Sequence, residues 1–306
     1  GAKHVISVNN SASAQHLALS AMQIKRGDKI VCSVNAFPSI AQAIRHFDAE
    51  PIFVDINEDD FSISPSAFES VLKEHNHKKL KCAFINHVGG QSAELDELEE
   101  IAQKYDVKIL DDVDRAIGLS FKGAKIGGEN SFLSCFQIHS QVQNPTATSG
   151  FFTTNDDAIA QRARLLRNYA LTSGIDKYGN LGYVYDVIDI GLKYDLSAID
   201  AAYSMAQFEK IDEFTDSRKA IAALYDEELK NCPHVTAPIK KRDHLYTQYI
   251  IKIDKNRDSF ARELLERGIH TSLHFIPIHL LSYYKNKYNL KVNAFPNALK
   301  TYQQVL

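Results

Sequence analysis

The sequence predicts a three-layer α/β fold with a mainly parallel sheet, followed by a smaller C-terminal α+β domain. Three observations predict it. The first half alternates short apolar runs with amphipathic helical patterns, as a sheet with covering helices requires. Those apolar runs are nearly continuous rather than alternating, which marks strands buried on both faces. Beyond Asp156 the texture changes to long helical patterns with few strand-like runs.

Taken in order, "HVISV" is a strand that leads through polar "NNSAS" into the amphipathic helix "AQHLALSAMQI". "GDKIVCSV" precedes the helix "SIAQAIRHF", "EPIFVDI" precedes "SPSAFESVLKEH", and "LKCAFINHV" precedes "ELDELEEIAQKY", with "VKILDDV" following. Each pair is one strand and one covering helix. In the second half "AIAQRARLLRNY" and "SAIDAAYSMAQFEKIDEFTDSRKAIAALYDEELK" read as helices, the latter long enough to bridge two domains. "YTQYIIKI" alternates as a strand, "DSFARELLERG" is a helix ended by glycine, and "IHTSLHFIPIHL" returns as strand and loop. The expected division is residues 1–208 for the large domain and 209–306 for the small one.

At 306 residues and 44% hydrophobic content the chain can bury a sizeable core. A net charge of -3 and a pI near 6.5 supply no field to gather nucleic acid or an anionic membrane, so neither is an expected partner. Cys32, Cys82, Cys135 and Cys232 are dozens of residues apart, which excludes zinc-knuckle and redox-pair spacing and leaves no expected metal. Three of them sit in apolar runs, the setting of reduced, buried thiols. No apolar run approaches the ~20 residues of a bilayer span and no charged-then-apolar leader opens the chain, so the expected location is cytoplasmic.

Ligands of open α/β sheets sit beyond the carboxyl ends of the strands, here the polar stretches "NNSAS", "NAFPS", "NHVGGQ" and "DDVDRA". These blocks, with "FKGAKIGG", "GLKYDLSAIDAAYSMAQFEKIDEF" and "ERGIHTSLHFIPIHL", run in an order that resembles the DegT/StrS type of nucleotide-sugar aminotransferase. The resemblance covers nearly the whole chain. It implies a fold-type-I large domain, pyridoxal phosphate (PLP) or its amino form (PMP) as cofactor, a nucleotide sugar as ligand, and active sites composed across a dimer interface. Family members usually begin a few dozen residues earlier and continue past this end, so the expectation is a chain truncated or divergent at both termini.

PLP chemistry needs a carboxylate facing the ring nitrogen and a lysine that tethers the cofactor and moves the proton. Asp112 matches the family's ring-nitrogen aspartate; the alternative is a turn acid or helix cap, with Asp111 and Asp114 as near neighbours. Phe37 matches the aromatic stacked on the ring, and is otherwise a core side chain. Ser11 and Ala12 stand where the family carries Gly and Thr, at a helix start suited to phosphate, or to nothing beyond capping. Lys193 matches a loop that reaches toward the neighbouring subunit's cofactor phosphate, or is an exposed lysine. His274 and His279 fall in the segment near the sugar-nucleotide entrance, or are structural histidines.

The departures centre on "CFQIHSQVQNPTATSGFFTTND", Cys135 to Asp156. Laid on the family pattern, His139 matches a histidine that lysine-bearing members also possess, and Val142 stands where the imine-forming lysine belongs. No lysine occurs between Lys125 and Lys177, so no modest shift of register restores the amine. Arg115 replaces a glutamine near the cofactor's phenolic oxygen, Gln137 replaces a phosphate-holding serine, and Asp195 adds negative charge near Lys193.

The leading expectation is a non-transaminating member retained as a binding or partner subunit, a homodimer or a heterodimer with an active paralogue, holding any PLP or PMP without a covalent link. The second is a lysine-independent dehydratase or aminotransferase with His139 as base. A generic dinucleotide binder is the third, and no Gly-x-Gly-x-x-Gly turn, P-loop or nucleophile elbow supports it.

Overall fold

Seven apolar runs pair into one sheet: β1 (His4–Val8), β2 (Lys29–Ser33), β3 (Glu50–Val54), β4 (Leu80–Asn86), β5 (Lys108–Asp112), β6 (Leu133–Ile138) and β7 (Ser149–Thr154). The computed structural model describes residues 1–138, 148–173 and 184–306, so the expectations for His139 and Val142 lie outside the described residues. Across the sheet the order is β1-β7-β6-β5-β4-β2-β3. Strands β2 to β6 pair in parallel, and β7 runs antiparallel to both β6 and β1. The mainly parallel sheet is as expected, with β6 and β7 added to the five strands read from the sequence.

Strand alternation sends successive side chains to opposite faces and builds two cores. Ile30 and Cys32 of β2 and Cys82 and Phe84 of β4 enter one; Val31, Ala83 and Ile85 enter the other. The covering helices are α1 (Ser11–Ala21), α2 (Ser39–Arg45), α3 (Pro65–Glu74), α4 (Leu95–Lys104) and α5 (Asp157–Leu166). The first core contains the apolar faces of α1, α2 and α5, and the second those of α3 and α4. Phe68, Phe84 and Phe152 are fully buried, each worth roughly 1.5–3 kcal/mol of transfer free energy.

Local chemistry fixes the helix starts. Asn10 caps α1 by accepting from Ser13 N–H at 2.8 Å, a contact worth about 1 kcal/mol. Ser64 caps α3 with Pro65 in its first turn, and α4 has Asp96 and Glu97 at its start and Lys104 at its end, matching the helix dipole. Strand β7 passes directly behind the α1 cap. A Cβ at Gly150 would lie 2.2 Å from the Asn10 carbonyl, so only glycine permits this approach.

The second half departs from its sequence reading in three places. The expected bridging helix is two, α6 (Ala198–Phe208) and α7 (Ile211–Leu229). The break sets Ile211 against Gly118. The run "YTQYIIKI" contributes only Lys252–Ile253, paired with Val235–Thr236. Finally, "IHTSLHFIPIHL" carries no strand among the described residues, because its backbone bonds go to loops of the main sheet: Ile278 N–H donates to Val34 O at 2.8 Å and Phe275 N–H to Asn35 Oδ1 at 3.4 Å. Helices α8 (Arg257–Glu266), α9 (Ser282–Lys287) and α10 (Pro296–Gln304) complete the chain. Among the described residues no helix is long and apolar enough to cross a membrane.

Candidate ligand cavity at the carboxyl ends of the strands

A cavity of about 370 Å³ opens where the strands end. Its floor comes from Asp112 at the end of β5, Asn86 at the end of β4 with His87 after it, and Gln137 on β6; the N-terminus of α1 closes one side with Asn10, Ser11 and Ala12. Phe37, after β2, and Phe275 form an aromatic wall, their ring centroids 5.6 Å apart at 60°. Of the site residues read from the sequence, Ser11, Ala12, Phe37, Asp112, Arg115, Gln137 and His274 line this one cavity. Phe37 is 61% exposed, which sets it apart from a core aromatic.

The three neighbouring acids have separate settings. Asp111 faces a structural network: Ser134 Oγ donates to its Oδ2 at 2.8 Å, and His87 Nε2 lies 3.3 Å from its Oδ1. Because Ala93 N–H donates to His87 Nδ1 at 3.1 Å, the histidine's remaining hydrogen is on Nε2 and points to Asp111. Asp112 and Asp114 line the cavity instead, and Asp112 Oδ1 accepts from Asp114 N–H at 3.3 Å. Burial raises the Asp112 pKa to about 6, against the opposing pull of that N–H and of the nearby His87 and Arg115 side chains. Burial raises Asp114 as well, reinforced by the Asp112 carboxylate.

Ser11 joins α1 to this acid pair. Its Oγ lies 2.6 Å from Asp114 Oδ2 and 2.8 Å from Gln137 Oε1. One hydroxyl hydrogen serves one acceptor at a time, so Ser11 Oγ donates either to the Asp114 carboxylate or to Gln137 Oε1. The Ser11 contact opposes the rise that burial and the Asp112 carboxylate give Asp114. His274 is 6% exposed, and neither ring nitrogen has a hydrogen-bond partner among the described residues. Burial, then the nearby Arg115 charge, lowers its pKa to about 3, so it stays neutral.

Two sequence candidates lie elsewhere. His279 is fully buried, its Nε2 2.9 Å from the Val292 carbonyl, and lines no part of this cavity. Lys193 pairs with Asp195, reaches Asn168 Oδ1 at 3.2 Å and lies over the Tyr169 ring, outside the cavity within one chain. Sequence reading named Asn86 and His87 only within the strand-end stretch "NHVGGQ" and singled out neither Phe275 nor the cavity role of Asp114. Asp114 follows the end of β5 in a turn, and its N–H donates back to Asp112 Oδ1, which keeps it beside the strand end.

The pyridine half of PLP or PMP fits this lining: an acid ends β5 and an aromatic ring stands beside it. The phosphate half does not fit the residues present. The place at the α1 N-terminus is taken by the Ser11, Asp114 and Gln137 cluster. Against two acids the described lining sets one cationic side chain, Arg115, before a phosphate adds up to about two more negative charges.

Comparisons with known proteins agree on the surrounding fold. The sequence model described as the DegT/DnrJ/EryC1/StrS aminotransferase family matches residues 1–306. The uncharacterized protein MJ1066 of Methanocaldococcus jannaschii is 32% identical over 314 residues, covering 99% of this chain and 80% of that protein. The spore coat polysaccharide biosynthesis protein SpsC of Bacillus subtilis is 29% identical over 316 residues, covering 100% of this chain and 80% of its own. Among solved structures, S. venezuelae DesV in complex with a ketimine intermediate superposes with a TM-score of 0.88 at 25% identity, over 99% of this chain and 78% of that one. Neighbours of the same fold have been solved in forms titled PLP-form and PMP-form.

Proposed function

The chain belongs to the DegT/DnrJ/EryC1/StrS aminotransferase family, and from that premise we propose that it is a non-transaminating member, a nucleotide-sugar-binding or partner subunit in polysaccharide biosynthesis. One observation carries the reading: between Lys125 and Lys177 the sequence offers no lysine. Transamination needs a primary amine that forms an imine and returns a proton, and the valine at 142 has neither a nucleophile nor a titratable group. The acid cluster at the α1 N-terminus supports the same reading, because it occupies the end of the cavity that a cofactor phosphate needs. SpsC, whose name places it in spore coat polysaccharide biosynthesis, supports the pathway class.

Partnership is part of the proposal. Tyr185, Ile188, Ile190, Ile199 and Met205 expose between 59% and 90% of their surface along one stretch of chain. Such a concentration of bare apolar side chains supports association with a second copy or with an active paralogue.

The test is spectroscopic. Protein mixed with PLP and then desalted should show no persistent long-wavelength imine band and no borohydride-trapped mass. A trapped adduct on any side chain would overturn the reading. A second reading, lysine-independent PLP or PMP chemistry with His139 as base, draws on one observation: His139 directly follows β6, whose Gln137 lines the cavity. It requires turnover of a keto-sugar nucleotide that His139→Asn abolishes.

A further inference from the structure

We infer that the edge of the sheet opposite the cavity docks on an anionic lipid bilayer, a surface that clustered lysines hold without a shaped pocket. The edge is built where strands begin. Lys25 and Arg26 lie in the loop after α1, and Lys29 opens β2. Lys73 stands in the last turn of α3, Lys78 and Lys79 follow in the loop to β4, and Lys81 is on that strand. Backbone pairing brings the two loops together. Lys29 N–H donates to the Lys79 carbonyl at 2.7 Å, and a Cβ at Gly27 would lie 2.9 Å from Lys79 Nζ. Lys81 Nζ donates to the Lys78 carbonyl at 2.9 Å, and Lys29 Nζ lies 3.2 Å from His75 Nδ1.

These cations stand out by what they lack. Among the described residues none of them forms an ion pair with a carboxylate, whereas Lys104, Lys122, Lys241 and Arg242 each hold one elsewhere. The nearby acids are few or engaged. Asp28 is buried and accepts from Lys25 N–H, Asp48 and Glu50 both pair with Arg45, and Asp106 is followed by Lys108. Glu74 is exposed at the end of α3. The positive potential registers on His75, whose pKa is lowered by burial and then by the Lys29 charge. Lys73 complements the dipole of α3; the other cations repel one another without a carboxylate partner.

A net charge of -3 argues against anionic partners only at long range. At physiological salt fields decay over about 8 Å, so a surface touching this edge meets the cations, with Asp28 and Glu74 among them, rather than the total. The character of the edge selects the partner. No large apolar side chain is exposed on it among the described residues, so it offers neither the anchors of a protein interface nor a platform for stacked bases. All but Arg26 are lysines, point charges suited to a fluid array of headgroups rather than guanidinium forks that grip fixed phosphates. Orientation agrees. Strand β4 runs from this edge to Asn86 in the cavity floor, a rise of about 20 Å, so a bilayer held at the strand starts leaves the cavity mouth open to water.

Sedimentation of the whole chain with vesicles tests this. Phosphatidylcholine vesicles with about 30% phosphatidylglycerol should retain the protein at about 0.1 M salt and release it near ~0.5 M, while phosphatidylcholine alone should bind at least about tenfold more weakly. Lys78→Gln, Lys79→Gln and Lys81→Gln combined should weaken binding about a hundredfold, roughly fivefold per lysine, at an unchanged melting temperature. The same charge removed by Lys230→Gln, Lys255→Gln and Arg267→Gln, all exposed in the C-terminal segment, should change it less than about threefold. Equal binding to phosphatidylcholine alone, or equal weakening by the two triple variants, would overturn the proposal. Duplex DNA that binds more tightly than the anionic vesicles at the same salt would overturn it too, and assign the edge to nucleic acid. The measurement needs no ligand in the cavity, so it stands apart from the reading of the chain as a sugar-nucleotide binder.

Discussion

Asp60 and Asp114 are both acids held largely out of water near the strand ends, yet they meet different company. Asp60 is 5% exposed and fully answered: Arg242 Nη2 pairs with its Oδ2, while Ser62 N–H and Oγ donate to its Oδ1 at 3.2 and 2.7 Å. The same guanidinium donates to Glu94 at 2.5 Å and to the Ser92 carbonyl at 2.7 Å, which fastens the C-terminal segment to the sheet. Asp114 sits beside another acid, and its Oδ1 has no partner among the described residues. A buried charge with every lone pair answered is scaffold; buried acids placed together with lone pairs to spare mark a site.

Variants can break this contrast in graded steps. The largest effect is expected from Arg242→Ala, which strands Asp60 in the interior. Urea unfolding should register a loss of about 3–5 kcal/mol, and a loss under 1 would place the clamp among weak surface pairs. Next comes Gly150→Ala, whose methyl group collides with the Asn10 backbone. A destabilisation of roughly 1–3 kcal/mol with weakened sugar binding would show that the α1 cap registers the cavity.

Asp114→Asn should act in the opposite direction. In the folded protein the raised pKa values of Asp112 and Asp114 mean that more protons are bound than in the unfolded chain; for Asp112 stability falls as pH rises from about 4 through about 6, and Asp114, raised as well, adds a loss of the same sign. The variant should therefore exceed the wild type by on the order of 1 kcal/mol at pH 7. The difference should shrink toward pH 4. Measured urea midpoints that favour the variant more at pH 4 than at pH 7 would reverse the assigned sign. The smallest effect on stability belongs to Phe37→Ala, within ~0.5 kcal/mol because the ring is mostly exposed, and its melting temperature should stay near that of the wild type.

Much of the fold was legible because burial on both faces writes continuous apolar runs, and β2 to β5 stand where "KIVCS", "EPIFV", "LKCAFIN" and "KILDD" put them. The hairpin of β6 and β7 was not, because its residues sit inside the stretch that resembles a cofactor loop and its pairing joins Gln137 to Gly150 across the sheet. Period alone also misjudged "YTQYIIKI", whose alternation survives as a two-residue strand. The cavity's residue types were readable from the polar strand ends. What the sequence cannot write is company: that Ser11 would face Asp114 from 103 positions away, or that a histidine near position 274 would stand over them.

That distance along the chain has a temporal consequence. The floor of the cavity is complete once β6 is formed, but His274 and Phe275 arrive only when Ile278 docks on Val34. During synthesis an emerging chain therefore displays two acids and a bare phenylalanine until its final segment folds back, which makes ligand retention a report on a finished molecule.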